Sequence, residues 1–374
     1  MTTHAPKNFM DCWDYSTDEL LDLVDLIKQL KAAAKERRVP KLLADQSLAM
    51  IFNGNSTRTR VSFEVAAQQL GGFALYLTGG EHGEMHLGKR ETVGDTARVV
   101  SSMVEGIAIR WQDLAEIKEF ADSCSVPVFN MMDYMHHPTQ TLCDLTTIIE
   151  HLPEGKELKD VKLAFIGTDD LNESSAGDLA KLLPRFGATV VLGTPEGHAF
   201  DEEYNTSEPE NTPELLELTR AQRRQACEEG GGQVISTHDP VEAVRDADFV
   251  YTGCFCYEGM ESESEFEYFD RVFVGKGFQV SEELLAHCPQ AQTMHYLPAL
   301  RGKEMTDYAM DFPGSLLWKQ AENRLHTQRG LMAYLMGGRS IDAYAPVYNT
   351  EAERAIVEKI TAMTERYGSQ YTHA

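Results

Sequence analysis

Asn55-Ser56-Thr57-Arg58-Thr59-Arg60 places three hydroxyls and two guanidiniums where a short apolar run gives way to a helix-like segment. The first turn of a helix offers free N–H groups and the positive end of the helix dipole. Hydroxyls and an arginine added there suit an anion, above all a phosphate dianion. The same residues also read as an ordinary N-cap followed by exposed arginines. Their place at the carboxyl end of a strand favours the anion site, because ligands of open α/β sheets bind at that end. Arg110 closes a second apolar run, Gly106 to Ile109, either as the point where a strand leaves the core or as a ligand contact. His136-His137-Pro138-Thr139-Gln140 opens a helix, with Pro138 suited to its first position. The two histidines read as a solvated turn, or as one imidazole donating to a carbonyl oxygen with Gln140 one turn on. In His295-Tyr296-Leu297-Pro298 the residue before proline is expected to be extended, which can leave its carbonyl aimed into a cleft. Glu322-Asn323-Arg324, with His326 and Arg329 nearby, reads on its own as a solvated helical face with local ion pairs. No metal-ligand cluster is visible in the sequence, and neither a metal nor a cofactor is expected.

The elements that must position these residues alternate. Ser16 caps a helix, with Glu19 three residues on completing a capping box. Leu20, Leu23, Val24, Ile27 and Leu30 then recur at helical spacing. Short apolar strands follow at 48–52, 73–77, 106–110 and 126–129, separated by helices, with a long helix from about 138 to 151. After a linker at 152–156 a second series begins with strands at 161–166, 189–193, 234–236, 249–252 and 292–296. An acidic, Pro-containing stretch at 196–213 is expected to form a long surface loop, and a second acidic stretch spans 258–270. Two amphipathic helices, at about 320–336 and 350–367, close the chain. Strands alternating with helices predict α/β folding, with two doubly wound parallel-sheet domains spanning 1–150 and 151–340.

Composition narrows the partners. The chain has 374 residues and a formal net charge of −25, which argues against duplex nucleic acid and anionic lipid as partners. It does not exclude a small anionic ligand in a local basic pocket. The stretches 201–217 and 258–270 carry thirteen acids, about half of the excess negative charge. Seven scattered cysteines without a CxxC pair suggest reduced thiols and a cytoplasmic setting. No signal peptide or membrane span is visible in the sequence.

Ser-Thr-Arg-Thr-Arg, a strand ending in Arg, His-Pro-x-Gln, His-x-Leu-Pro and Glu-Asn-Arg, in this order, resemble the aspartate/ornithine carbamoyltransferase family, and in particular its ornithine/putrescine branch. The resemblance runs from Ser16 to about Met336. Val61-Ser62-Phe63-Glu64, residues 150–155 and residues 329–336 look especially like putrescine carbamoyltransferases. The resemblance implies two Rossmann-like domains with an interdomain active-site cleft, carbamoyl phosphate on the first and a small amine on the second. It implies that Ser56, Thr57, Arg58 and Thr59 hold the phosphate, and that Arg110, His137 and Gln140 polarise the carbamoyl group. The Leu297 carbonyl would face the carbamoyl NH2, and Arg324 would stabilise charge from the second domain. A homotrimer is implied, with His86 on a loop that enters the neighbour's site, and a C-terminal helix within 341–374 is expected to pack back on the first domain.

The amine half departs from the pattern. Tyr296 replaces the family's cysteine, Gly253 replaces an aspartate typical of ornithine enzymes, and Tyr257-Glu258-Gly259-Met260 replaces a Ser-Met-Gly loop. Asn172 matches the second of two asparagines, while Leu171 replaces the first. Asn172, Glu258, Met260 and Tyr296 are therefore the expected amine contacts, with Glu258 equally readable as one of many loop acids. The sequence reading is a carbamoyltransferase for an amine of the ornithine/putrescine type. Alternatives are an enzyme for another amine or amino acid, and a weakly catalytic carbamoyl phosphate-binding trimer with a scaffold or regulatory role.

Overall fold

The computed structural model describes residues 7–79, 83, 85, 87–171, 174–202, 211–254, 263–337 and 351–368. The chain folds as two compact units, 1–146 with 322–374, and 147–321.

The first unit contains α1 (Thr17–Lys35), β1 (Ser47–Phe52), α2 (Thr57–Gln69), β2 (Phe73–Thr78), α3 (Val93–Ser101), β3 (Gly106–Arg110), α4 (Leu114–Ser123), β4 (Val128–Met132) and most of α5 (Pro138–Glu150). Its sheet is parallel, in the order β2-β1-β3-β4. Ala49, Ile51, Ile107 and Ile109 bury against Ile117 and Phe120 of α4. Each fully buried isoleucine or phenylalanine among them contributes about 1.5–3 kcal/mol. The strand expected at 126–129 starts at Val128, because Pro127 has no N–H to give to a ladder. Ser16 does cap α1, its Oγ accepting from Glu19 N at 3.2 Å. The reciprocal half of the capping box is replaced: the buried Glu19 carboxylate pairs with Lys7 and accepts from Tyr334 Oη at 2.7 Å.

The second unit contains β5 (Lys162–Ile166), α6 (Ser174–Leu182), β6 (Thr189–Gly193), α7 (Pro213–Gly230), β7 (Gln233–Thr237), α8 (Pro240–Val244), β8 (Phe249–Thr252), α9 (Glu263–Val272), α10 (Glu282–Leu285), β9 (Gln292–His295) and α11 (Asp307–Asp311). Its sheet is also parallel, in the order β7-β6-β5-β8-β9. The acidic stretch 258–270 holds most of α9, which buries Phe269 in the core beside Phe273 just past its end, so apolar spacing sets a helix despite the run of acids.

The chain leaves the first unit within α5 and returns to it within α12 (Leu317–Met336). α13 (Glu351–Tyr367) then packs on α1, with Ile356, Ile360 and Met363 buried and Tyr367 Oη donating to Asp22 at 2.7 Å. Sequence reading had grouped 151–340 together. The structure assigns 322–337 to the first unit, because α12 past Ala321 is covered by α1 and α2.

Both sheets have a topological switch point, where the chain winds first to one side of a strand and then to the other. In the first sheet it lies between β1 and β3; in the second it lies between β5 and β8. The loops beyond those strand ends are the expected ligand positions of this architecture.

Candidate active site

The first switch point carries the Ser-Thr-Arg motif. Asn53 N donates to Arg110 O at 2.9 Å, which holds the exits of β1 and β3 side by side. Ser56 takes the N-cap position of α2 in extended backbone, yet its side chain makes no capping bond. Its Oγ donates instead to Thr59 Oγ1 at 2.9 Å. Arg60 turns away, stacking over the Tyr76 ring at 3.7 Å and pairing with Glu64 at 3.0 Å. Thr57 is exposed at the first position of the helix, and Arg58 is half-buried one residue on.

Arg324 joins this group from α12. Its Nη2 donates to Thr59 Oγ1 at 3.0 Å and its Nη1 to Gln140 Oε1 at 2.6 Å. Gln140 Nε2 donates in turn to Asp144 Oδ1 at 2.7 Å, so both ends of the amide are engaged. The expectation that Arg324 would act from the second domain is corrected: it belongs to the first unit and is 4% exposed. The solvated helical face expected at 322–329 is corrected except at Glu322, which stays exposed. Asn323, Arg324, His326, Thr327, Gln328 and Arg329 are all buried, because α1 and α2 cover this part of α12.

His137 sits at the start of α5, buried, with Nδ1 3.3 Å from Thr139 Oγ1. Burial holds its pKa well below the ordinary histidine value, and the charges of Arg324, Arg110 and Arg58 push it in the same direction. The imidazole is therefore neutral, with three guanidiniums acting on one point. The adjacent His136 has a different environment: its Nδ1 lies 3.1 Å from Asp133 Oδ1, and its backbone N–H also donates to that oxygen. The first unit thus brings Ser56, Arg58, Thr59, Arg110, His137, Gln140 and Arg324 into one constellation.

The second switch point is built differently. Asp169, just past β5, takes a two-pronged bond from Arg223 of α7 at 2.6 and 2.9 Å. Phe200 lies 4.4 Å from that guanidinium, and Asp169 N donates to His198 O at 3.1 Å. At the end of β9, Tyr296 Oη accepts from Cys254 N at 3.0 Å, linking the exits of β8 and β9. Leu297 is not extended, as the rule for residues before proline predicts; its φ is +58° and its peptide bond to Pro298 is cis. Leu297 N donates to His295 Nδ1 at 2.8 Å, which folds the chain back within two residues. His295 Nε2 in turn lies 3.3 Å from Glu304 Oε1, both side chains fully buried. Arg223 and Glu304 escaped the sequence reading, since neither sits in a motif and the pairing of each shows only once the chain is folded. The expected site residues His86, Asn172, Glu258 and Met260 lie outside the described residues.

Comparison with known proteins gives this arrangement its context. The profile described as "Aspartate/ornithine carbamoyltransferase, carbamoyl-P binding domain" matches residues 7–150, and that described as "Aspartate/ornithine carbamoyltransferase, Asp/Orn binding domain" matches 159–335. The chain belongs to the aspartate/ornithine carbamoyltransferase family. Within the family it is 38% identical over 335 residues to the anabolic ornithine carbamoyltransferase of Pyrococcus furiosus, covering 89% of this chain and 98% of that one. It is 39% identical over 326 residues to the ornithine carbamoyltransferase of Pyrococcus abyssi, covering 87% and 94%. The solved structure of the Pyrococcus furiosus ornithine carbamoyltransferase superposes with a TM-score of 0.77 at 37% identity, covering 90% of this chain and 99% of that one. A mitochondrial ornithine carbamoyltransferase from Coccidioides immitis gives 0.73 at 26% identity, covering 90% and 99%.

Proposed function

We propose that this family member is a transferase that moves the carbamoyl group of carbamoyl phosphate to the side-chain amine of ornithine, releasing phosphate. The observation that carries the reading is the convergence of Arg58, Arg110 and Arg324 on a neutral, buried His137 at the switch point of the first sheet. Carbamoyl phosphate would lie on the first unit, with its phosphate on the first turn of α2 at Ser56, Thr57, Arg58 and Thr59. The neutral amine attacks the carbamoyl carbon, the bond to the phosphate oxygen breaks, and the amine sheds its proton. Negative charge grows on the carbonyl oxygen and on the departing phosphate. Arginine forks and an imidazole N–H fixed before reaction stabilise that charge more than they stabilise the ground state. Arg110 and His137 would face the carbamoyl oxygen, and Gln140 would hold Arg324.

The amine would be taken by the second unit, through Asn172, Glu258, Met260 and Tyr296, with the Leu297 carbonyl facing the carbamoyl NH2. A second acceptor class is favoured by one observation. Gly253 offers no carboxylate to an α-ammonium, which suits a diamine such as putrescine.

A homotrimer is supported by apolar exposure on the first unit. Phe73 is 62% exposed and Leu75 38% on the edge strand β2, with Val61 of α2 at 52%. Apolar side chains along an open strand edge suit cover by another copy. His86 would then enter the neighbouring site. A cytoplasmic setting is supported by the scattered, odd number of cysteines; no helix among the described residues is long and apolar enough to cross a membrane. Sedimentation and cell fractionation test these two statements.

The deciding experiment is a ureido-product assay with carbamoyl phosphate against ornithine, putrescine, lysine, agmatine and aspartate. Ornithine turnover above the others bears the reading out, and putrescine turnover above ornithine moves the acceptor. Carbamoyl phosphate binding without any turnover overturns catalysis in favour of a scaffold. Arg58→Ala is expected to abolish carbamoyl phosphate binding in calorimetry; unchanged affinity sinks the phosphate assignment.

A further inference from the structure

Arg329 is fully buried in the first unit and takes no part in the chemistry described so far. Among the described residues no carboxylate pairs with it. Its Nη1 donates to Leu30 O at 3.4 Å and to His326 Nδ1 at 2.9 Å, and its Nη2 donates to Gln69 Oε1. All three acceptors are neutral. Burial pulls the guanidinium down to about 10. A buried charge held only by neutral acceptors is costly, and an apolar side chain would fill the same space at less cost. The arrangement therefore points to a task other than packing.

That task is legible in what the three acceptors belong to. Leu30 lies near the end of α1, Gln69 is the last residue of α2, and His326 is one turn back on α12. His326 must be neutral to accept at Nδ1, and burial lowers its pKa to about 4; its Nε2 then faces Glu322 Oε1 at 3.2 Å. Gly330, the next residue, lets α12 approach α1: a Cβ there would stand 2.3 Å from Ile27 Cγ1. Other polar contacts follow the same two neighbours. Lys31 Nζ of α1 donates to Asn323 Oδ1 at 2.7 Å, and Gln328 Nε2 donates to Ser62 Oγ of α2 at 3.5 Å. α12 thus grips α2 at its first turn through Arg324–Thr59, at its middle through Gln328–Ser62 and at its last residue through Arg329–Gln69. The first turn of α2 is the phosphate-binding turn of the proposed site.

We infer that Arg329 is a positioning residue for that site: by anchoring the far end of α2 to α12 and α1, it sets the height and rotation at which Arg324 and the Ser56–Thr59 turn face one anion. Arg324 and Arg329 are five residues apart, about 7.5 Å along the helix axis. A small slide or turn of α12 at Arg329 is therefore delivered to Arg324 as a displaced fork. Misplacement of a charged group by about 1 Å is enough to weaken a preorganised site by an order of magnitude or more. The inference rests on the carbamoyl phosphate reading.

Calorimetry with carbamoyl phosphate, steady-state kinetics and thermal melts on Arg329→Met, Arg329→Lys and Gln69→Met test it. Arg329→Met is expected to raise both the Kd and the KM for carbamoyl phosphate about tenfold. The amine KM should stay unchanged, while kcat falls several-fold or more, because the displaced Arg324 fork serves the transition state above the ground state. Arg329→Lys restores most of the affinity. Gln69→Met weakens carbamoyl phosphate in the same way without touching the buried charge, and it decides the matter if Arg329→Met does not fold. Wild-type binding matched by Arg329→Met, or by Gln69→Met where the former cannot be made, overturns the inference alone. A rise in both substrates' KM together with a lowered Tm also overturns it, since that is what a merely structural residue gives. A wild-type chain that does not bind carbamoyl phosphate overturns the site reading and the inference with it.

Discussion

Arg324 Nη1 donates to Gln140 Oε1 at 2.6 Å, across 184 residues of sequence. The amide cannot turn freely, because its Nε2 is spent on Asp144 Oδ1 at 2.7 Å. Gln140 therefore presents oxygen to the guanidinium, and Arg324 presents its second nitrogen to Thr59. The fork is set before any ligand arrives. Lysine at 324 keeps the charge but loses the planar pair of donors. Arg324→Lys is expected to lower kcat/KM about a hundredfold in the ureido-product assay. A loss of less than about threefold would show that charge alone suffices there.

His137 supplies a prediction with a defined sign. Burial first, and then Arg324, Arg110 and Arg58, hold it neutral well below the ordinary histidine range. It gains no proton as pH falls through about 6.5, the range where a free histidine titrates. The ratio of wild-type kcat/KM to that of His137→Asn should therefore stay flat between about pH 6 and pH 8, while the variant loses about tenfold or more at every pH. A ratio that changes steeply around pH 6.5 would assign the work to an imidazolium instead.

Much of this arrangement is legible in the sequence for a physical reason. Strands at 106–110, 189–193 and 249–252 are short apolar runs with clear stops, and the structure returns those bounds. The start of α2 at Ser56 is legible too, since a hydroxyl residue after an apolar run marks a helix N-cap. The direction of Arg324 is not: Glu-Asn-Arg on a helix reads as surface, and only packing reveals that α12 is covered from Asn323 onward. The Arg329–Gln69 and Arg223–Asp169 pairs were hidden for a related reason. Each joins residues with no shared period or motif, and a buried charge is invisible until its neighbours are known. Leu297 shows the opposite failure, where a sound local rule for residues before proline gives way to a bond from Leu297 N to its neighbour His295.

Tyr296 separates the two substrates experimentally. Its Oη accepts from Cys254 N at 3.0 Å, so removing the oxygen leaves that N–H without this acceptor. Tyr296→Phe is expected to cost about 1 kcal/mol of stability. It should change the amine KM several-fold while leaving the carbamoyl phosphate KM unchanged. Tyr296→Cys should go further and shift the order of preference among ornithine, putrescine and lysine. An identical amine profile in both variants would remove Tyr296 from the acceptor pocket.

His198 of the second unit makes stability depend on pH in a predictable direction. It is buried, T-shaped against Phe273 and 2.8 Å from Tyr268 Oη. Burial lowers its pKa to about 4, partly opposed by Glu202. In the unfolded chain a histidine takes its proton at about 6.5. Between those two values the unfolded state holds the extra proton and the native state does not, so stability falls as pH falls. The contribution is fully present above about pH 6.5 and is lost by the time pH reaches about 4. Urea unfolding of wild type and His198→Gln across that window should give a shallower decline for the variant, because glutamine has no proton to gain. Some decline remains in the variant, since His326 titrates over the same interval. Parallel curves for the two proteins would mean that His198 takes its proton over the same pH range folded and unfolded, contrary to its burial.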